Sequence, residues 1–288
     1  MPFPTEPKTF SHGLADRGLA SDEALAALLD RYPEDLFDIN IYSFDDRGQF
    51  SLTTGSRGKA DGATLLREIK AGRVWVNLRD IELNHPDLWG PAFEALEALT
   101  GEMGVRPVKA TGQMILSAPA ARVPYHFDAA AVVLFHLRGR KRIYIYPTDE
   151  AHLPQTGMEK TIMRTTTEEL PYDLTMDANA CRLDLQAGEA VTWPLYAPHR
   201  VENLGEFNVS LSVDFQTWGS RMTRGAHFAN GVLRRWGLTP AAMASTPMAA
   251  RAALWACSLA MKQANLAENR IRDFERSFQL GDADRAAV

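Results

Sequence analysis

The chain has 288 residues, of which 45% are hydrophobic, and a formal net charge of −5. Its charged residues are scattered rather than grouped into the basic stripe that a phosphate backbone requires, so we expect no direct nucleic-acid partner. No apolar run reaches membrane-spanning length, and the only cysteines, Cys181 and Cys257, lie far apart. We therefore expect no membrane partner and a cytoplasmic location, in a reducing compartment.

Residues 1–105 are predicted to form an α/β flank packed on the core. Ser21 suits a helix N-cap, and the helix that follows ends at Pro33. Apolar spacing predicts further helices over 63–71 and 91–100, and a short apolar run predicts a strand over Val74–Leu78.

Residues 106–220 are predicted to form a β-rich core, so the expected fold class is mainly β with flanking helices. Short runs rich in β-branched and aromatic residues, such as 142–146 and 207–215, are typical of an antiparallel sandwich or barrel. Between them, 147–180 is a long polar stretch that we interpret as a functional or disordered loop.

Residues 221–288 return to helical patterns. We predict helices over 228–236, 248–263 and 266–278. Their apolar stripe, which includes Trp255, Ile271 and Phe274, is wider than a solvated helix needs. These helices are therefore expected to pack on the core or on a second subunit.

Three residues form a candidate metal site. His126 and Asp128 lie two positions apart on a predicted strand, so both side chains point to one face, and His199 follows a turn and arrives from another strand. Two histidines and one carboxylate form the facial triad that leaves open positions on Fe(II). The pattern is weak by itself, because a hydrogen-bonded core histidine explains His126 equally well. His136 and His227 are interpreted as structural.

Lys141 strengthens this interpretation. It follows the turn at Gly139, and strand alternation places it on the same face as Ile143 and Ile145. A lysine on an apolar face needs an anionic partner, since the ammonium group otherwise loses hydration or its proton. The alternative is a lysine whose long stem reaches water from a strand edge.

These residues resemble the JmjC-like branch of the cupin oxygenases, of the type that includes the hypoxia-factor asparaginyl hydroxylase. The matching text is His126-Phe-Asp128, then 139–147, then 188–189 and 194–203, and Lys141 lies fifteen positions after His126. The resemblance implies that residues 106–220 form a double-stranded β-helix, a jelly-roll core, that holds Fe(II) with His126, Asp128 and His199. It further implies 2-oxoglutarate bound to Lys141, hydroxylation as the reaction, and a homodimer formed through the C-terminal helices.

The chain departs from this family at two positions near the co-substrate, where Val123 replaces a threonine and Val132 an asparagine. We therefore consider four other residues as cofactor-binding candidates: Thr111, Tyr125, Tyr144 and Asp214. Asp214 falls where the hydroxylase has an asparagine. Thr111, Tyr125 and Tyr144 are more often ordinary strand residues whose hydroxyl groups bond to backbone or water, and a solvated polar face explains Asp214 at least as well.

We thus expect an Fe(II)- and 2-oxoglutarate-dependent dioxygenase that hydroxylates a protein side chain or a small molecule and releases succinate and CO2. The long stretch 147–180 would suit a polypeptide substrate if it borders the site. Two alternatives stay open, because one scaffold hosts many functions. One is a cupin-like sensor or regulatory protein without turnover, and the other is a metal cupin that acts without 2-oxoglutarate.

Overall fold

The computed structural model describes residues 4–46, 48–72, 74–267 and 276–280. Within these ranges the chain forms a nine-stranded sheet and a four-stranded sheet, with helices on the outside. The strands are β1 (Lys8–Ser11), β2 (Phe37–Phe44), β3 (Phe50–Ser56), β4 (Val74–Leu78), β5 (Lys109–Ser117), β6 (Arg122–His126), β7 (Ala131–Arg138), β8 (Arg140–Ile145), β9 (Cys181–Gln186), β10 (Glu189–Thr192), β11 (His199–Asn203), β12 (Asn208–Gln216) and β13 (Arg276–Gln279).

Strands β5 to β12 form a jelly roll. The large sheet contains the order β10-β7-β12-β5 and the small sheet the order β6-β11-β8-β9, with every pair antiparallel. Consecutive strands thus alternate between the two sheets, except at the β8–β9 pair, which is the strand order of a double-stranded β-helix. The prediction of a mainly β, jelly-roll core with flanking helices is confirmed.

Strand β12 shows why the large sheet is covered on both faces. Val209, Leu211, Val213 and Phe215 point into the main hydrophobic core, which the N-terminal helices cover. The alternate residues, among them Ser212, face the space between the sheets. This polar face of β12 therefore lines the interior of the jelly roll and is not the solvated face that the sequence also allowed.

The N-terminal flank continues the large sheet. Strand β4 pairs with β5, β2 with β4 and β3 with β2, while β1 pairs with β10 at the opposite end. The helices are α1 (Asp22–Arg31), α2 (Gly62–Ala71), α3 (Ile81–Asn84), α4 (Pro86–Glu102), α5 (Gln155–Ile162), α6 (Trp218–Arg235) and α7 (Met248–Gln263).

Helices α1, α2 and α7 and strand β4 lie where the sequence predicts them, but two helices begin earlier. Helix α4 begins at Pro86 and keeps Pro91 in its interior. Burial of Leu88 in the core offsets part of the cost of that proline. Helix α6 begins at Trp218 rather than 228, because Thr217 and Ser220 form a reciprocal cap at its N-terminus.

Two other predictions were wrong. The stretch 147–180 is not simply a loop, since it contains α5 and a 3-10 turn over Leu174–Asn179. The helix predicted over 266–278 is wrong at its C-terminal end, where residues 276–278 lie in strand β13. This strand pairs in parallel with β3, and the Phe278 ring lies against Gly55. Ile271 and Phe274 lie outside the described residues.

Cys181 and Cys257 are both free and exposed. In the part of the chain that the structure describes, none of the helices combines the length and the apolar character that a membrane span requires.

Candidate metal centre and adjoining cavities

The three candidate metal ligands meet at one end of the small sheet. His126 ends β6 and His199 begins β11, and the two residues are directly paired across the strands. The candidate ligand atoms of His126, Asp128 and His199 all lie within 4.8 Å of one another. The His199 Nε2 atom is 3.4 Å from Asp128 Oδ2, and the His126 Nε2 atom is 3.9 Å from Asp128 Oδ1. The group can therefore hold a metal ion.

The hydrogen bonds of both histidines prepare them as ligands. His126 Nδ1 lies 2.8 Å from the Pro124 carbonyl oxygen, and His199 Nδ1 lies 3.2 Å from the Ala197 carbonyl oxygen. A carbonyl only accepts, so each Nδ1 donates its proton, and each Nε2 presents a lone pair toward Asp128. Burial lowers the pKa of His199 to about 4, which keeps the imidazole neutral as a metal ligand requires.

A cavity of about 210 Å³ adjoins the metal residues. Besides the three candidate ligands, its walls contain the inward-facing residues of both sheets and two acids from the 147–180 stretch. The lining residues are Tyr42, Trp75, Asn77, Gln113, Ile115, Val123, Pro124, Val132, Leu134, Lys141, Glu168, Glu169, Trp193, Val201 and Ser212.

Lys141 is the cation of this cavity wall. Its side chain is 1% exposed, and its Nζ atom lies 5.6 Å from the centre of the Trp75 ring. Among the described residues no carboxylate forms an ion pair with it, and burial lowers its pKa to about 7. The lysine therefore does not escape to water, and its ammonium group lacks a charged partner in the part of the chain that the structure describes.

Thr111 and Asp214 lie in a second cavity of about 170 Å³, which shares Glu168 with the first. They are paired across β5 and β12. The Asp214 Oδ1 atom is enclosed and has no hydrogen-bond partner among the described residues. Burial raises the pKa of Asp214, and the charges of Asp128 and Glu168 raise it further. The raised pKa favours the uncharged carboxyl group, and a cationic partner would favour its ionised form.

The structure does not bring Tyr125 and Tyr144 to the metal residues. Both rings lie in a hydrophobic cluster on the outer face of the small sheet. The Tyr125 hydroxyl donates to the His152 carbonyl oxygen at 2.7 Å, and the Tyr144 ring lies 3.4 Å from the Arg200 guanidinium carbon. Strand alternation explains this placement, since Tyr125 neighbours His126 and Tyr144 lies between two inward-facing isoleucines.

The histidines interpreted as structural have no place in the metal group. His136 Nδ1 lies 2.9 Å from Ser210 Oγ, and His136 Nε2 lies 3.0 Å from the Gly139 carbonyl oxygen. His227 is buried on α6, with its ring 6.0 Å from that of Tyr196.

Several pocket residues were not found from the sequence. Gln113 and Ser212 share the inward faces of β5 and β12 with Thr111 and Asp214, so strand alternation alone was a sufficient signal for them. Trp75 and Asn77 reach the cavity only because β4 pairs with β5, which no local pattern in the flank predicts.

Glu168 and Glu169 border the cavity because the 147–180 stretch pairs with β6. The Phe127 amide donates to the Glu168 carbonyl oxygen at 3.3 Å, and the Leu170 amide donates to the Tyr125 carbonyl oxygen at 3.0 Å. Glu169 forms a bridge with His126. This segment therefore lies beside a candidate metal ligand.

No family model matches the chain, and no curated protein matches it. Among solved structures it is similar to the Escherichia coli ribosomal oxygenase YcfD, at 15% identity over 91% of this chain and 64% of that one, with a TM-score of 0.47. It is also similar to YcfD in complex with cobalt and 2-oxoglutarate (15% identity, 90% and 63% coverage, TM-score 0.46). A third similar structure is YcfD in complex with cobalt and succinic acid (15% identity, 90% and 64% coverage, TM-score 0.45). The chain spans just under two thirds of the length of these structures.

Proposed function

We propose that this chain is an Fe(II)- and 2-oxoglutarate-dependent oxygenase that hydroxylates a C–H bond of a protein side chain or a small molecule. The observation that carries the proposal is the placement of Lys141. A buried ammonium group that has no ion-pair partner within the described ranges lies in the same cavity wall as a two-histidine, one-carboxylate group. A molecule that chelates a metal and carries a second, distant carboxylate would bind the metal at one end and the Lys141 ammonium group at the other.

The donor set fits Fe(II). His126, Asp128 and His199 supply two neutral imidazole nitrogens and one carboxylate, which is the ligand set of oxygenases that leave positions open for co-substrate and O2. Their Nδ1 hydrogen bonds to backbone carbonyls orient both rings, so little reorganisation is needed when a metal binds.

Lys141 anchors the distal carboxylate of 2-oxoglutarate in this proposal. The approach of a carboxylate stabilises the charged form of a lysine whose pKa is lowered by burial, so anchoring is coupled to proton uptake near neutral pH. Trp75 and the apolar wall around it exclude water, which strengthens the ion pair.

When bound, Fe(II) supplies the redox chemistry that turns 2-oxoglutarate, O2 and a substrate C–H group into succinate, CO2 and the corresponding alcohol. The protein's own residues position the reactants and keep water out. Glu168 and Glu169 border the cavity from outside the jelly roll and are placed to contact the substrate as it enters.

Release of succinate tests the enzymatic part of the proposal. Iron-loaded protein supplied with 2-oxoglutarate and O2 is expected to form succinate, slowly without a substrate and faster with one. The Asp128→Ala variant is expected to form none. A sensor or regulatory protein would release no succinate under any of these conditions.

A homodimer and a cytoplasmic location stay predictions. Helix α7 exposes apolar residues, since Met248 is 53% and Leu259 is 51% exposed, and a second copy of this helix would cover them. Sedimentation equilibrium of the full chain and of the Leu259→Glu variant tests the dimer. A monomeric wild-type chain at micromolar concentration would contradict it.

A further inference from the structure

The second cavity is separate from the wall that holds Lys141 and adjoins the first cavity. Glu168 lines both cavities, so a molecule seated in the second cavity lies beside the site that contains the metal residues. Its remaining walls are Lys109, Thr111, Ala129, Ala130, Asp214, Gln216 and Arg224.

Four charged residues, two acids and two bases, line this small space. Asp214 and Glu168 supply two carboxyl groups, whose pKa values are raised by burial, and Arg224 and Lys109 supply the positive charges. Each acid lies close enough to Arg224 to sense its charge. Among the described residues, however, no ion pair within 4.0 Å joins either acid to either base.

Asp214 gives an independent sign that a partner is missing. Its Oδ1 atom is enclosed on the inward face of β12, and none of the residues that the structure describes donates a hydrogen bond to it. A buried acceptor without a partner costs free energy, which a donor from a ligand recovers. The unsatisfied oxygen therefore points to a bound group that carries N–H donors.

We propose that this second cavity binds the α-ammonium and α-carboxylate groups of a free amino acid, whose side chain then extends past Glu168 to the metal residues. Asp214 and Glu168 receive the ammonium group, and Arg224, with Lys109 at the rim, receives the carboxylate. The inference rests on the proposed oxygenase function and specifies its substrate as a small zwitterion.

The size and charge of the cavity favour a zwitterion over a polypeptide. The cavity volume of about 170 Å³ equals that of roughly five water molecules, which suits an amino-acid head group. A residue inside a polypeptide carries neither charge at its backbone, so it would leave both pairs of charged residues without partners. A simple cation would satisfy the acids and leave Arg224 unused.

Binding to the metal-free full chain provides the test. Free L-amino acids are screened one by one by saturation-transfer NMR, and the tightest is titrated calorimetrically. The same titration uses its N-acetyl and its carboxamide derivatives, each of which lacks one charge. Each derivative is expected to bind roughly 10- to 100-fold more weakly, the effect of losing one charge-assisted hydrogen-bonded contact.

Two variants assign the charges to residues. Asp214→Asn is expected to weaken binding of the free amino acid but not of its N-acetyl derivative. Arg224→Gln is expected to weaken binding of the free amino acid but not of its carboxamide. Arg221→Gln is the matched control, because Arg221 is exposed on the same helix beside Trp218. Thermal melting of each variant shows whether it is folded, and the derivatives test the wild-type chain even if a variant fails to fold.

The inference is overturned if no free amino acid binds, if the blocked derivatives bind as well as the parent, or if a peptide blocked at both ends binds more tightly. Succinate assays separate this failure from failure of the oxygenase proposal. Succinate release without amino-acid binding would leave the oxygenase intact and remove the zwitterion site. Charge-dependent amino-acid binding without succinate release would keep the site and remove the oxygenase.

Discussion

His126 and His199 face each other across the antiparallel pair β6–β11, with ring centres 4.2 Å apart and the Asp128 carboxylate beside both Nε2 atoms. The strand pairing brings two distant segments of sequence together, and the hydrogen bonds to Pro124 and Ala197 fix the orientation of both rings. A metal site on this scaffold depends on the jelly-roll register as much as on the ligands themselves.

Removal of one imidazole tests the ligand assignment. His199→Ala is expected to abolish stoichiometric Fe(II) binding, whereas His136→Ala is expected to retain it, because His136 bonds to Ser210 and Gly139 instead. Equilibrium dialysis followed by metal analysis measures both. Equal losses in the two variants, with both still folded, would refute the ligand assignment.

Lys141→Met is expected to weaken 2-oxoglutarate binding roughly 10- to 100-fold and to leave Fe(II) affinity unchanged. The substitution removes one charge-assisted contact and keeps an apolar side chain. Anaerobic calorimetric titration of the iron-loaded protein measures the effect. Arg142→Met is the matched control, since Arg142 on the same strand pairs with Asp184 at the surface. Unchanged co-substrate affinity in Lys141→Met would show that another cation is the anchor.

The same lysine predicts a pH dependence of stability. Its pKa is lowered from 10.5 to about 7 in the folded, ligand-free state, so between these pH values the unfolded chain binds more protons than the folded one. The free energy of unfolding of the metal-free protein should therefore gain a favourable contribution as pH rises from 7 toward 10.5, reaching on the order of a few kcal/mol. This contribution is absent below about pH 7.

Urea denaturation of the wild-type protein and Lys141→Met at about pH 7 and about pH 9.5 isolates this contribution. The difference in stability between the two proteins should favour the variant at the lower pH and shrink at the higher one. A difference that does not change with pH would mean that Lys141 is not desolvated in the folded state.

The turn before Lys141 depends on glycine. Gly139 has a φ of +84°, and a Cβ there would lie 2.4 Å from the Phe207 carbonyl oxygen. Gly139→Ala is expected to destabilise the fold by about 1–3 kcal/mol. It is also expected to weaken 2-oxoglutarate binding, because the turn positions Lys141. Gly90→Ala is the control, since this helical glycine has open space around it. Thermal melting compares the two, and equal melting temperatures would contradict the expectation.

Strand alternation in the sequence predicts the β-rich core and places the candidate metal residues on one face. That rule explains the shared inward direction of His126 and Asp128 and of Lys141, Ile143 and Ile145. By the same rule Tyr125 and Tyr144 face the opposite way. Only their hydroxyl groups, and not the strand pattern, favoured them as cofactor contacts.

Other features depend on long-range pairing that no local pattern encodes. Trp75 enters the cavity because β4 extends the large sheet beside β5. Glu168 reaches it because a polar stretch with little strand character pairs with β6. Phe278 belongs to a strand because Gly55 leaves room for its ring, although its spacing favours a helix.

Segment 172–179 is held against the jelly roll by a partly buried network of charged and hydroxyl groups, which makes a further prediction. Asp177 accepts hydrogen bonds from Arg200, from the Tyr146 hydroxyl at 2.5 Å and from the Tyr172 hydroxyl at 2.7 Å. Asp177→Asn is expected to cost about 1–3 kcal/mol and to increase proteolytic cleavage within this segment. Asp184→Asn, at an exposed pair, should change neither. Unchanged protease resistance in Asp177→Asn would contradict the role of the network.

Anaerobic addition of Fe(II) and then 2-oxoglutarate to metal-stripped protein tests the central claim most directly. Chelation of Fe(II) by the keto and carboxylate oxygens of 2-oxoglutarate produces a weak visible charge-transfer band. We expect this band in the wild-type protein and not in Asp128→Ala. If Fe(II) binds to the wild-type chain and no band develops on saturation with 2-oxoglutarate, the assignment of 2-oxoglutarate as co-substrate is wrong.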